Sequence, residues 1–387
     1  MAVENKTITL MAVGDVGPNR DDPPSIFRHC RDVLGTADIV FGQMEAPLSD
    51  RGTPMFCPSW PRKLPAKNAQ ALTELGAGFD VMSFAGNHAM DYGWEAFYDS
   101  LDDLKANNIA VIGAGRNIAQ ARTPAVLERH GTKVGFLGYL SIVHPGLIAL
   151  EDVPGCAPLR ATSAYQQMHY SPGSPPLIVT RLFPDDKRAM EEDIAKLRAR
   201  ADVVVISMHC GVLSVPAMIA MYQKEAAYAA IDAGADIVLQ HHAHMLRGIE
   251  IYKGKAIFYG LGNFALEHGK PFPGMVKAWA SDQTPEMYRA TIARIRPVRG
   301  LEKHRYNPEA LRTMIAKVTI EGKAIRRVSY LPAYINPDLE PEVVARKDKR
   351  AREVFNYVQQ ISEHEDLAVS FSWKGGEVSV DPVKTKP

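Results

Sequence analysis

Up to about residue 265 the chain alternates short β-branched runs with longer stretches of helical spacing, a pattern that restricts it to α/β layering. Ile8 to Val13, Ile39 to Phe41, Val81 to Phe84, Val203 to Met208 and Ile237 to Leu239 read as buried strands. Asn68 to Leu75, Trp94 to Asn107, Lys187 to Ala199 and Ala217 to Ala233 read as helices. In the last of these, Met218, Met221, Tyr222, Ala226, Ala229 and Ala230 fall at helical spacing and read as core packing. Thr123 to Glu128 with Lys133 to Tyr139, and Ile249 to Tyr252 with Ala256 to Tyr259, have the form of hairpins. A third hairpin turns at Gly322, followed by a charged helix (Pro341 to Ile361) and two short strands. Leu140 to Pro176 is too long and too rich in Pro, Gly and Ser for an ordinary connector, and is expected to be irregular or lid-like. Pro271 to Gly300 is a second irregular stretch.

The strand-like runs stop at polar motifs: Gly14-Asp15-Val16-Gly17, Gly42-Gln43-Met44-Glu45, Gly86-Asn87-His88-Ala89-Met90-Asp91, His209-Cys210-Gly211 and Gln240-His241-His242-Ala243-His244. Ligands of open α/β sheets bind beyond the carboxyl ends of the strands, so groups remote in sequence can share one cleft. His242 and His244, at i and i+2 after an apolar run, can converge on one point, and neutral imidazole is the commonest protein ligand for transition metals. The assembled Asp, Glu, Asn and His suit one or two borderline divalent cations (Mn, Fe, Zn or Ni) better than a thiolate or all-oxygen site would. Two such ions about 3.5–4 Å apart can activate a water and clamp the attacked centre.

Composition narrows the partners. Among 387 residues, Lys+Arg 45 balance Asp+Glu 44, and no basic stripe is interleaved with aromatics. Nucleic acid and anionic membranes are therefore not expected, and homo-oligomerisation is left open. Cys30, Cys57, Cys156 and Cys210 show no C-x-x-C spacing and read as reduced thiols. Met1 to Lys6 runs into Thr7 without an apolar leader, and no run approaches 18 apolar residues, so a cytoplasmic location is expected. No G-x-S-x-G elbow or Walker-type loop supports a serine hydrolase or a kinase.

Gly14-Asp15, Gly86-Asn87-His88, His209 and His242-Ala243-His244 resemble the ordered motifs of calcineurin-like binuclear metallophosphoesterases. The chain is more closely similar to their CapA branch, the poly-γ-glutamate capsule-biosynthesis proteins. It carries Gly14-Asp15-Val16, Gln43-Met44-Glu45, Gly86 through Asp91 followed by Tyr92-Gly93, His209-Cys210-Gly211 and Gly260-Leu261-Gly262-Asn263-Phe264. The resemblance covers roughly residues 6–265. It implies a four-layer α/β/β/α sandwich over 1–270, with residues 271–387 an extension of strands and a helix packed on it. It further implies that Asp15 and His244 bind one metal, that Asn87, His209 and His242 bind another, and that Glu45 bridges. His88 matches the catalytic histidine, and Asp91 would orient it, as carboxylates commonly do for imidazoles.

Against the wider pattern, Gly17 stands where a metal-binding His is usual, Glu45 replaces a bridging Asp, Gln43 replaces an Asn, and Leu213 replaces a Glu. The first metal position is thus short of a ligand. The implied activity is a metal-dependent hydrolase whose activated water attacks a phosphoester or an amide-type (peptide-like or cyclic amide) bond. The alternative is a non-catalytic accessory protein of polymer synthesis or export; a nuclease of the same superfamily would need a basic groove that the charge balance does not supply. His241 reads as structural or supporting, and Asn263 as cleft lining or a turn cap. Tyr92, Trp60, Arg62, Lys63, His144, Arg160, His169 and His268 lie in loops that could reach a cleft, though each alone reads as surface. Glu191, Glu192 and Asp193 suit the start of a helix.

Overall fold

A computed structural model describes residues 7–55, 61–144, 146–171, 173–267 and 308–383. Two sheets face each other. The larger, ten-stranded among the described residues, is built around β1 (Thr7–Gly17), β2 (Ile39–Met44) and β3 (Val81–Ser83), which pair in parallel. The second, six-stranded, is centred on β4 (Val203–His209) and β5 (Ile237–His241), again parallel and in register from Val205↔Ile237 to His209↔His241.

Strand alternation sorts the side chains between layers. Ile8, Leu10, Phe41, Val203, Val205, Ile237 and Leu239 share the core between the sheets. Met11, Val13, Val40 and Met82 point the other way, against α1 (Gly93–Ala106) and its neighbours. Val204, Ile206, Met208 and Val238 pack beneath α2 (Pro184–Arg198) and α3 (Met221–Asp232). These layers make the expected four-layer α/β/β/α sandwich. Pro184 at the first helical position, Asp185 and Asp186 in the first turn and Lys196 and Arg198 in the last show why α2 starts and ends where it does.

The C-terminal strands join the first sheet. Arg312–Glu321 runs antiparallel to the first half of β1, and the chain then adds Ala324–Ile335, Glu377–Asp381 and Ser370–Lys374 outward. Near its carboxyl end β1 changes neighbour and pairs in parallel with β6 (Asn263–Leu266), Asp15 opposite Asn263. Three expectations are corrected. Asn68 to Leu75 is a 3-10 helix at Ala66–Leu72. Pro341–Val343 is a strand, and the charged helix α4 (Lys349–His364) begins only where the Asp348 side chain caps it. Leu140 to Pro176 is not wholly irregular: Gly155–Cys156 pairs with Ala114–Gly115, and Ala161–Gln166 forms a hairpin with Leu177–Leu182. Pro271 to Gly300 lies outside the described residues. Cys30, Cys156 and Cys210 are buried and free. No helix of the described residues is long and apolar enough to cross a membrane.

The switch of partner along β1 demands glycine at position 14. A Cβ there would stand 1.9 Å from the Gly262 carbonyl oxygen. Gly14→Ala should therefore cost about 1–3 kcal/mol or more. Thermal unfolding would check this; a melting temperature equal to wild type would show that the β1–β6 approach can relax.

Candidate metal centre

Every expected ligand comes from the carboxyl end of a strand. Asp15 sits at a register irregularity of β1, where its N–H donates to the Gly262 carbonyl at 2.9 Å. Glu45 follows β2, its N–H bonded to Val16 O at 2.9 Å. Asn87 and His88 lie in the loop after β3, His209 ends β4, and His242 and His244 follow β5. The two sheets bring these ends together. One ligand atom each from Asp15, Glu45 and His209 lies within 4.8 Å of the others, and all three residues are buried. His209 Nε2 is 2.7 Å from Asn87 Oδ1 and 3.2 Å from His242 Nδ1. His244 spans the carboxylates, its Nδ1 3.1 Å from Asp15 Oδ2 and its Nε2 3.1 Å from Glu45 Oε1.

The turn carrying the two histidines is strained. His242 and His244 have φ of 88° and 54°, in the left-handed region that non-glycine residues avoid. Such conformations persist where the surroundings over-determine them, and they cluster at functional sites.

Burial sets the charge state. It pushes His242 and His241 down to about 3 and His209 well below the ordinary imidazole value, leaving neutral rings with lone pairs to offer. Burial also raises Asp15 to about 6, helped by the neighbouring Glu45 charge. Glu45 is held low against its burial by His244 and Arg62. For His244 burial is outweighed by Glu45 and Asp15, which lift it to about 10. His244 and Arg62 thus supply the positive charge that two buried carboxylates require.

Asp15 Oδ1, Glu45 Oε2, His209 Nδ1, both nitrogens of His241 and Asn263 Nδ2 are buried without a hydrogen-bond partner. Native proteins rarely tolerate such a concentration of orphans unless water or an ion answers them. Hard carboxylate oxygens, an amide oxygen and neutral imidazoles form a donor set that fits a divalent cation.

His88 lies beside this cluster. Its Nδ1 is 2.5 Å from Asp91 Oδ2, which also accepts the Arg62 backbone N–H at 2.7 Å. Its Nε2 faces Glu45 Oε1 at 3.9 Å. Asp91 is buried beneath the ring.

Among the loop candidates, Arg62 enters the site, with Nη1 3.0 Å from Glu45 Oε1. His144 reaches its margin, Nε2 3.1 Å from the Asn87 carbonyl oxygen. Asn263 lines it, Oδ1 2.8 Å from His244 Nδ1. Lys63 instead stacks over Tyr92 at 4.6 Å, Arg160 pairs with Asp186 in a cavity of about 570 Å³ that His144 also lines, and His169 is exposed. Trp60, Cys57 and His268 lie outside the described residues. Glu191, Glu192 and Asp193 are in the middle of α2, not its first turn; Asp193 binds Arg122 and the Tyr139 hydroxyl. Asn263 was marked by its Gly260-Leu261-Gly262-Asn263-Phe264 motif, and its strand register with Asp15 places it in the cleft; nothing local ranks Arg62 above the other loop candidates.

Residues 9–268, a span holding every expected ligand, match the family described as bacterial capsule synthesis protein PGA_cap. The chain belongs to this family. Among relatives of this PGA_cap protein, the capsule biosynthesis protein CapA of Bacillus anthracis is 28% identical over 275 residues, covering 69% of this chain and 61% of that one. A Mycobacterium tuberculosis protein named "Probable polyglutamine synthesis accessory protein" is 29% identical over 208 residues, 51% of this chain and 47% of its own. The chain thus spans about three fifths or less of the length of these relatives. The solved calcineurin-like phosphoesterase of Bacillus subtilis superposes with a TM-score of 0.40 at 13% identity, over 92% of this chain and 98% of that one.

The raised His244 gives a signed pH test on chelator-stripped protein. The folded state keeps this proton where the unfolded chain loses it, so stability should fall as pH rises from about 6.5 toward about 10. Melting temperatures of wild type and His244→Gln across that window check it. Equal slopes for the two would remove His244 as the cause.

Proposed function

We propose that this PGA_cap protein is a metal-dependent hydrolase acting on a phosphoester or amide-type bond of a small-molecule or short peptide-like substrate. The observation that carries the reading is the convergence of Asp15, Glu45 and His209 within 4.8 Å, with Asn87, His242 and His244 in contact around them. Divalent ions, with Mn, Fe or Zn best suited, would supply Lewis-acid activation of a water. Asp15 and His244 would hold one, Asn87, His209 and His242 the other, with Glu45 between.

The chain's own residues account for the remaining chemistry. Asp91 accepts the Nδ1 proton of His88, fixing the ring so that Nε2 faces the centre. A protonated His88 can stabilise negative charge there and deliver its Nε2 proton to the departing oxygen or nitrogen. Arg62, anchored on Glu45, adds a fixed positive charge beside the same space. Both phosphoester and amide cleavage use such a proton donor next to a stabilised oxyanion.

Metal content by elemental analysis, with turnover on phosphodiester and amide panels, tests the proposal. His88→Asn should lower kcat about 100- to 10,000-fold with metal content unchanged, and Asp91→Asn about 10- to 100-fold. Tight metal binding with no turnover on any panel would instead support an accessory role in polymer synthesis or export, in line with the mycobacterial relative named a probable polyglutamine synthesis accessory protein.

A further inference from the structure

The shortage at the first metal position comes from Gly17, which has no side chain to offer. A Cβ on Gly17 would meet Leu266 Cδ1 at 2.8 Å, with Leu64 Cδ1 at 3.7 Å and Glu45 Cβ at 3.9 Å. The tip of the Leu266 side chain lies where a side chain at position 17 would begin, and the glycine there carries none. Asp15 is therefore left with His244 on one side and no imidazole from its own strand.

His241 approaches from the other side. It is the last residue of β5 and pairs in register with His209, so the two rings leave the same face of the second sheet. Ile237 and Leu239, four and two residues earlier on that face, point into the core between the sheets, toward β1. His241 accordingly ends the row against Asp15, with Nδ1 3.8 Å from Asp15 Oδ1. Its side chain is fully buried, and neither ring nitrogen has a hydrogen-bond partner. The Phe41 ring, 6.1 Å away centroid to centroid, packs against it and offers no polar atom. A structural histidine would have at least one nitrogen satisfied by a carbonyl, hydroxyl or carboxylate. This one has its nearest acid just beyond hydrogen-bond length, the spacing of two groups that share an ion.

We propose that His241 is a ligand of the first cation, standing in from β5 for the imidazole that position 17, a glycine, does not carry. The inference rests on the metal-dependent reading above and adds to it which residue completes the Asp15 position. The site then takes both of its sheet-end imidazoles, His209 and His241, from adjacent strands.

The test uses the full chain, stripped with chelator and reloaded with Mn²⁺, Zn²⁺ or Co²⁺. Mn²⁺ stoichiometry and affinity are measured by elemental analysis and calorimetry for wild type, His241→Leu, His241→Asn, and Asp15→Asn as a control. Both His241 variants should lose one equivalent, or weaken it at least about tenfold, and should change the visible spectrum of the Co²⁺-loaded protein. Metal-free His241→Leu should melt no lower than wild type, because it removes two orphaned nitrogens and no bond. A crystal structure of Zn²⁺-loaded wild type should place a His241 nitrogen about 2.0–2.1 Å from the ion, a readout independent of how the variants fold.

Wild-type affinity and spectrum in both variants, with Asp15→Asn losing metal, would overturn the proposal. So would a Zn²⁺ complex in which His241 stays out of bonding distance. Failure of wild type itself to take up any cation would be a different result, since it removes the metal-dependent reading and this inference with it.

Discussion

Two carboxylates, Asp15 and Glu45, are held fully buried where the two sheets meet, and the surrounding structure answers that constraint. An isolated buried carboxylate is very costly, so each needs a counter-charge or a proton. His244 and Arg62 provide the charge among the protein's own groups, and a divalent cation would provide it more fully. The left-handed backbone at His242 and His244 fits this demand: local strain is accepted so that His244 reaches both carboxylates and His242 reaches His209. The tight crossing of Gly14 and Gly262 serves the same end, since it fixes where Asp15 leaves β1.

The layering explains why the site can be rigid while its parts are scattered in sequence. Each contributing strand is anchored along its length by core side chains and presents its polar group only at the end. Groups held on strands are positioned more exactly than groups on loops, which favours chemistry that depends on sub-ångström placement. The later strands strengthen this frame: Arg312–Glu321 pairs with the first half of β1, and β6 takes over beside Asp15.

Much of this was legible beforehand because strand ends announce themselves. A β-branched run that stops at glycine and polar residues marks both a strand and the group it delivers, as at Gly14-Asp15 and His209-Cys210-Gly211. Helix boundaries were less legible. The charged stretch after Pro341 was read as helix from its composition, whereas pairing with Ala324–Ile335 draws its first residues into a strand. The acids at 191–193 suited a helix start, yet Pro184 begins the helix a full two turns earlier. Arg62 was one of several loop candidates with nothing to rank it: a lone arginine in a loop carries no local pattern, and its meaning comes only from the carboxylate it touches.

The sequence alone determined the α/β alternation and the polar groups at the strand ends, because each depends on residue order within a short segment; the pairing of His88 with Asp91 was an implication of the family resemblance. Tertiary structure decided which of those ends meet, that Arg62 and Asn263 join them, and that the tip of Leu266 lies beside Gly17. The physical reason is that contacts between strands tens to hundreds of residues apart are set by how two sheets twist and pack, and no local pattern of residues encodes that distance.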